Sequence, residues 1–485
     1  MSTLRPAAVV VLAAGEGTRM RSRLPKVLHT IGGRSLLEHA VSAARGTHPH
    51  QLVVVVRAQR DRVAEHVAEL DPDVVVADQD EVPGTGRAVE CGLAALPAEL
   101  TGTVLVTYGD VPLLTAETLG GLLEAHAAAA SAVTVITATV PDPTGYGRVV
   151  RDADGGVVAL VEHRDATPEQ LQIDEVNSGL YAFDLAVLRA VLPRVGSANA
   201  QGERYLTDVV ALARADGLTV RAHQVTDLWQ TEGVNDKVQL ARLGAELNRR
   251  TVEKAMRDGA IVVDPATTWI DAAVTIGPDT VVHPNTQIHG ATSIGADCVI
   301  GPDTTLTDVE VGDGASVVRT QALLALIGPG ATVGPFSYLR PGTELGAGGK
   351  IGGFVETKNA RIAAGAKVPH LTYAGDVTIG ERANIGAGTI FANYDGVAKH
   401  HTTVGADSFV GSNSVVVAPV TIADDAYVAA GSAVTQDVPS GALAVARGRQ
   451  RNVDGWVARN RGGATESSEL AHPHTEDLTV EGGPT

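Results

Sequence analysis

The chain is 485 residues long and carries 38 Lys and Arg against 56 Asp and Glu, a formal charge of −18. That length predicts two or three domains, each able to bury its own core, and the charge excludes general nucleic-acid binding, because no excess of cations is available to displace counterions. Two cysteines, Cys91 and Cys298, are too few for a disulfide framework and fit a reducing, cytoplasmic setting. The first apolar run is short and enters a glycine turn, so neither a signal peptide nor a membrane partner is expected. Apolar runs at Ala8–Leu12, 52–56, 104–107 and Val133–Thr139 predict buried strands. Helical patterns over 35–44, 61–69 and 116–130 alternate with them. This alternation implies an α/β, Rossmann-like domain over 1–235, with a mostly parallel sheet covered on both faces. Such sheets bind ligands at the carboxyl ends of their strands.

Residues 236–258 predict one helix, with Leu240, Leu243 and Leu247 on one face and Gly259 to stop it. It reads either as a linker over 236–259 or as a surface helix of the first domain. The period then changes. Ile276, Val282, Ile288, Ile294, Ile300 and Leu306 recur every six residues, and Thr280, Thr286, Thr292, Cys298 and Thr304 follow the first five by four. Further runs are Ile327, Val333, Leu339, Leu345 and Ile351, then Val404, Val410, Val416, Ile422, Val428 and Val434. A six-residue period is a β-helix period, so 260–455 predicts a parallel β-helix with the aliphatic residue inside and the small residue at the corner. Cys298 then takes a threonine position as a small buried thiol. Breaks in the hexads at 357–361 and 393–403 predict loops thrown out from the prism, where ligands bind. His400 and His401, in the second break, read as solvated. The polar, acidic stretch 456–485 predicts disorder.

The first strand runs into Leu12-Ala13-Ala14-Gly15-Glu16-Gly17-Thr18-Arg19-Met20, with Pro25-Lys26 close behind. A Rossmann fingerprint needs glycine where Met20 stands, and a Walker loop needs Gly-Lys-Ser/Thr. A bare G-x-G is usually only a tight turn; the added Thr-Arg and Pro-Lys favour phosphate. Asp110, in Tyr108-Gly109-Asp110, follows a buried strand, where it is either a turn residue or a Mg²⁺ ligand.

These motifs resemble the sugar-1-phosphate nucleotidyltransferases. Together with the hexads they resemble more closely the bifunctional uridylyltransferase and acetyltransferase family of bacterial cell-wall synthesis, over nearly all of the chain from Ala7 to about Trp456. The resemblance implies a left-handed coil, a homotrimer, and Mg²⁺, with acetyl-CoA and UTP as cosubstrates. It further implies acetylation of glucosamine-1-phosphate and coupling of the resulting N-acetylglucosamine-1-phosphate to UMP. By motif, Leu12, Ala13, Ala14, Gly15, Lys26, Gln79, Gly84, Thr85, Tyr108, Gly109, Asp110, Gly147, Glu162, Asn177 and Asn235 would hold UTP and the UDP-sugar. Arg19 and Lys26 would neutralise developing charge, and Asp110 and Asn235 would hold the metal. Asn235 also reads as the N-cap of the following helix, and both roles can hold together. Arg340, Lys358, Tyr373 and Asn384 would bind the amino sugar phosphate, and His370 would be the proton acceptor. Ala387, Ser412, Ala430 and Arg447 would contact acetyl-CoA; Asn393 and Tyr394 would touch that ligand or the sugar phosphate. Pro369, where glycine often precedes the histidine, and the acidic tail depart from the family pattern. Two alternatives make the β-helix an assembly device or a scaffold without chemistry; both lack a use for the His370, Tyr373 and Asn393-Tyr394 set.

Overall fold

The computed structural model describes residues 4–461. Its first layer is a mixed sheet ordered Val220–Gln224, Val133–Thr139, Glu175–Asp184, Thr103–Tyr108, Ala8–Leu12, Gln51–Val56, Val75–Asp78. Ala8–Leu12 lies centrally and pairs parallel on both sides. Its side chains alternate in the way a two-sided strand must: Ala8, Val10 and Leu12 enter one core, while Val9 and Val11 enter the other. Glu175–Asp184 runs antiparallel to both neighbours. A hairpin of Arg148–Arg151 and Val157–Val161 pairs with it at Val176. The expected strands and helices are all present. Strands Val75–Asp78, Glu175–Asp184 and Val220–Gln224, the hairpin, and helices Thr85–Ala94, Leu185–Val191 and Asp208–Ala215 were not anticipated.

The helix Lys237–Arg257 is capped by Asp236, whose side chain accepts from the Val238 and Gln239 N–H groups. Asn235 therefore does not cap it, which corrects one of its two expected roles. Leu243 is buried against Met20, Ile31 and Leu36, with Leu240 and Leu247 packed alongside. Further along, Asn248 donates to the Thr268 carbonyl at 2.8 Å and accepts from the Ile270 N–H at 2.9 Å, and Val252 joins the β-helix core. One helix thus packs on both halves of the chain, by different ends.

Beyond it the chain forms a parallel β-helix. Strands of mostly two or three residues pair in parallel with strands one coil on, as Thr275 with Ser293 and Val281 with Val299. The aliphatic residues of the three predicted runs are buried, apart from Ile276, which is only partly covered at the first coil. Thr280, Thr286, Thr292, Cys298 and Thr304 are wholly buried at the corners. There the hydroxyls donate to backbone carbonyls of the turns: Thr280 to Gly295 at 2.7 Å and Thr292 to His289 at 2.6 Å. The Cys298 thiol does the same for Gly312 at 3.2 Å.

Two expectations need correction. Residues 357–361 are not thrown out as a loop. They lie inside the continuous strand Glu356–Ile362, which pairs with Tyr373–Ile379. This coil is one residue short, with Glu356 opposite Tyr373, yet the ladder survives, and Asn359 turns the corner at φ 45°, as Gly342 and Asp376 do at positive φ on the adjacent coils. The second break is a true insertion: Asn384 pairs with Phe409, twenty-five residues on. In the tail, Trp456–Arg461 forms a short exposed helix where the composition predicts disorder, its first turn closed by Arg459 N–H donating to the Gly455 carbonyl at 3.0 Å. The rest of the expected disordered stretch lies outside the described residues.

The column of inward side chains leads to a stability prediction. Leu339→Ala, at a fully buried position, should lower stability by about 2–5 kcal/mol through the cavity it leaves. Urea unfolding of the β-helix checks this; an unshifted midpoint contradicts it.

Candidate functional site

Two polar constellations stand out, one on each half. The first lies at the carboxyl end of the central strand. There the Ala13 N–H donates to Val55 at 2.8 Å and the Gly109 N–H to Leu12 at 2.9 Å, holding the three strand ends together beneath the loops that follow. Gly17 turns at φ 62°, and a side chain there would meet Lys26 Cβ at 2.6 Å, so glycine lets the Lys26 segment close on the turn. Leu12, Ala13, Ala14, Gly15, Lys26, Gln79, Gly84, Thr85, Tyr108 and Asp110 line one cavity of about 550 Å³. Arg57 and Glu203 line it too and were not singled out from the sequence. Glu203 is distant in the chain and belongs to no motif, so only tertiary structure reveals it.

Lys26 forms an ion pair with Asp110, both largely buried. The Val234 N–H donates to the Asp110 carbonyl at 2.8 Å, which brings Asn235 close, and Arg19 donates to the Asn235 side-chain oxygen at 2.8 Å. Arg19 and Asn235 do not line the cavity itself but extend its charged edge. Gly147, Glu162 and Asn177 gather beside it: the Asn177 N–H donates to the Gly147 carbonyl at 2.9 Å, and a side chain at Gly147 would touch both Asn177 and Glu162. Tyr108 connects this trio to the cavity. Burial, with the negative charges of Glu162 and Asp110, holds its phenol above the ordinary range. Burial likewise raises the Glu162 carboxyl, reinforced by the nearby Asp165, Asp208 and Glu203 charges.

The second constellation sits on the β-helix. Arg340 pairs with Glu356 at 2.9 Å. Lys358 stands opposite Gly375, and Tyr373 opposite Glu356, one coil on. Asn393 donates to Asp376 and reaches the Tyr373 hydroxyl at 3.5 Å. Burial opposes ionisation of Asp376, but hydrogen bonds from Asn359 and Asn393 and the Lys358 and Lys399 charges outweigh it, and its carboxyl lies below the usual range. The Lys358 side chain beside Lys399 holds that amine below its ordinary value. Lys399 was missed in the sequence because it stands in an aperiodic polar run. The loop folds back through a Tyr394–Lys399 bridge, and this places it against Lys358. The same folding gives the loop histidines partners, while His401 stays exposed as read. His400 pairs with Asp395 at 2.7 Å and His401 bonds Thr378 at 2.9 Å. Tyr394 is exposed, its hydroxyl donating to the Gly396 carbonyl at 2.6 Å.

His370 is exposed at the end of the strand Lys367–His370. Pro369 does not break that ladder, since Val368 and His370 keep their partners Ile351 and Gly353. Asn384 pairs with Lys367 on the His370 face, not with the Lys358 cluster. Ala387, Ser412 and Ala430 follow on one corner: Gly388 donates to His370 at 3.1 Å, Asn413 to Ala387 at 2.7 Å and Gly431 to Ser412 at 2.9 Å. Arg447 packs by Gly431. Because neighbouring strands are about 4.8 Å apart, the steps from His370 to the Ala430 level span about 14 Å. This corner forms an extended track leading to an imidazole.

Two oxygens at Asp110 and Asn235 suit a hard cation that keeps most of its ligands from phosphate and water. Among the described residues, no group of three or more His, Cys, Asp or Glu gathers as a metal cage. Asp110 and Asn235 are the oxygen donors that a hard divalent cation would take here.

Residues 9–164 match the MobA-like NTP transferase domain family. Residues 273–308 and 401–436 match the bacterial transferase hexapeptide family of six repeats. Bifunctional protein GlmU of Pseudarthrobacter chlorophenolicus is 61% identical over 468 residues, 96% of this chain and 95% of that protein. The Kineococcus radiotolerans protein of the same name is 59% identical, covering 98% of this chain and 97% of its own length. That of Corynebacterium glutamicum strain ATCC 13032 is 56% identical over 96% and 97%.

Gly84 yields a test of the first cavity. It stands at φ 117°, and a Cβ there would lie 2.3 Å from the Arg204 carbonyl. Gly84→Ala should destabilise the first domain by at least about 1 kcal/mol, as alanine does at an incompatible φ. Chemical denaturation reads this; an unchanged midpoint contradicts the close approach.

Proposed function

The chain belongs to the GlmU family of bifunctional enzymes, and from that premise we propose how its two constellations divide the work. The β-helix site acetylates glucosamine-1-phosphate from acetyl-CoA. The first-domain site then joins N-acetylglucosamine-1-phosphate to the uridylyl group of UTP, and the product feeds cell-wall synthesis. The observation that carries this reading is the separation of the two constellations, which share no residue and lie on different folds.

At the first site a phosphate oxygen of the sugar phosphate attacks the α-phosphorus of UTP. The new P–O bond forms as the bond to the β-phosphate breaks, and pyrophosphate leaves. Gln79, Gly84 and Thr85 receive the base, and Gly147, Glu162 and Asn177 receive the sugar. Lys26 and Arg19 neutralise phosphate charge as it develops, which is the main catalytic task in a reaction needing little covalent help. Mg²⁺, when bound by Asp110 and Asn235, supplies further neutralisation. Since Lys26 and Arg19 already contact those two side chains, cation and metal act in one charged patch. Removing either Lys26 or Arg19 should cost roughly 10²–10³ in kcat, by analogy with oxyanion donors.

At the second site Arg340, Lys358 and Lys399 hold the sugar phosphate, with Tyr373 and Asn393 beside them. The unusual proximity of two lysine amines supports an anion between them. The amine nitrogen attacks the thioester carbonyl, a C–N bond forms, the C–S bond breaks and CoA leaves as the thiol. His370 accepts the amine proton, which balances the one the departing sulfur takes up, a role open to an imidazole at the end of that track. Acetyl-CoA lies along the Ala387, Ser412, Ala430 and Arg447 corner. Asn384 stands apart from the Lys358 cluster on this chain, and the exposed Phe336–Phe354 stack and Leu371 lie next to His370. Both features support a homotrimer in which neighbouring β-helices complete each acetyl site. Among the described residues no helix is long and apolar enough to cross a membrane, and UTP and acetyl-CoA point to a cytoplasmic enzyme.

Two substitutions test the division. Asp110→Ala should abolish UDP-sugar formation and leave CoA release unchanged. His370→Ala should do the reverse, lowering acetyl transfer by about 10²–10⁴, the range for a lost general base. Coupled assays for pyrophosphate and free thiol separate the two. Loss of both activities in one folded variant contradicts independent sites, and undiminished acetyl transfer in His370→Ala removes His370 as the base.

A further inference from the structure

The segment around Arg204 lies more than a hundred residues from the base-reading loop in sequence and against it in space. The Arg204 N–H donates to the Pro83 carbonyl at 3.1 Å, and its carbonyl accepts from the Gly86 N–H at 2.8 Å. The Leu206 N–H donates to the Thr85 hydroxyl at 3.1 Å. Gly84 and Gly86 approach the Arg204 backbone so closely that a Cβ on either would fall within 3.0 Å of it. The loop is thus zipped to a second segment through its whole turn. Its own closure is completed by Gln79, whose amide donates to Val82 at 3.0 Å and to Gly84 at 3.3 Å.

The Arg204 side chain holds this arrangement from behind. Its guanidinium, in a side chain only 18% exposed, donates to the Val195 carbonyl at 3.1 Å, the Leu192 carbonyl at 2.9 Å and Glu90 at 2.7 Å. Leu192 and Val195 bound the turn after the helix Leu185–Val191, so Arg204 ties that helix end to the first domain. Glu90 lies on the helix Thr85–Ala94, which begins at the loop itself. Glu90 also takes Arg87 at 2.6 Å, and Arg87 grips Asp80, next to Gln79, at 3.1 Å. A charge relay of Asp80, Arg87, Glu90 and Arg204 therefore frames both ends of the loop. Arg204 itself does not line the cavity, whereas its neighbour Glu203 does.

We propose that Arg204 is a positioning residue for recognition of the nucleotide base: it fixes the Gln79–Gly84–Thr85 loop in the shape that accepts a uracil ring. The proposal rests on the reading of the first site as a uridylyltransferase site. A fixed loop offers its backbone and side-chain groups without an ordering cost, and such preorganisation is expressed in binding. The planar guanidinium serves three acceptors at once, which an ammonium cannot match in geometry.

The test is steady-state uridylyl transfer by the full chain with UTP or CTP and N-acetylglucosamine-1-phosphate. In Arg204→Met the KM for UTP should rise about tenfold, the scale of one lost charged hydrogen bond. The kcat should stay within about threefold, the signature of lost ground-state binding. The KM for the sugar phosphate and the rate of acetyl transfer should not move, and the preference for UTP over CTP should fall. Arg204→Lys should recover part of the UTP KM. If Arg204→Met does not fold, Glu90→Gln, which removes the charged partner and keeps the two carbonyl contacts, should shift the UTP KM in the same direction by less. An unchanged UTP KM and base preference in a folded variant overturns the proposal. So does a fall in kcat with no KM split, which marks a merely structural role. Failure of the unsubstituted chain to form a UDP-sugar overturns instead the first-site reading beneath it.

Discussion

A β-helix coil closes only if an aliphatic side chain points inward from each of its flat faces. Strands of two or three residues bury too little area singly, so each must stack on the strand one coil away. In this chain the stacked column from Val282 to Val434 is almost wholly buried. That continuous core fixes the corners, and the fixed corners fix the polar residues mounted on them. His370, Ala387, Ser412 and Ala430 fall in line because successive coils repeat in register. A rigid prism of this kind suits a catalytic track, since sites on regular elements are held more tightly than sites on loops.

The first half solves the positioning problem differently. Its central strand is buried on both faces, and the functional groups lie where the strand ends and neighbouring segments diverge. Here charge does part of the holding. Lys26 neutralises the Asp110 carboxylate, and Arg19 donates to the Asn235 amide oxygen, so neither oxygen is left without a partner. The helix Lys237–Arg257 joins the two designs. It begins beside Asn235 and sets Val252 in the β-helix core, so one helix runs from the first site's edge to the first coils.

Much of this was legible in the residues. Four apolar runs marked four of the nine strands of the first sheet, because fully buried strands read as near-continuous apolar stretches, and the hexads marked the β-helix because its repeat is short and strict. The segments that escaped detection have physical reasons. Thr85–Ala94 begins at a glycine turn and carries few large apolar residues, so its buried face of Ala88, Val89 and Leu93 is faint in the sequence. The break at 357–361 looked like an ejected loop, yet a one-residue deletion at a corner leaves the hydrogen-bonded ladder on both sides intact. Asp236 and not Asn235 caps the linking helix, a choice between adjacent residues that both favour the position. Lys399, Asp376, Glu203 and Arg204 gain their meaning from partners far away in sequence, and no local pattern encodes that.

The central claim is that two independent sites on one chain carry out consecutive reactions through a released intermediate. The most direct measurement mixes purified Asp110→Ala and His370→Ala proteins with glucosamine-1-phosphate, acetyl-CoA, UTP and Mg²⁺, and follows UDP-N-acetylglucosamine. The account predicts that neither protein alone makes appreciable product while the mixture makes it readily, one supplying the acetylated sugar phosphate and the other consuming it. A mixture as inert as its components, with both proteins folded, would contradict it.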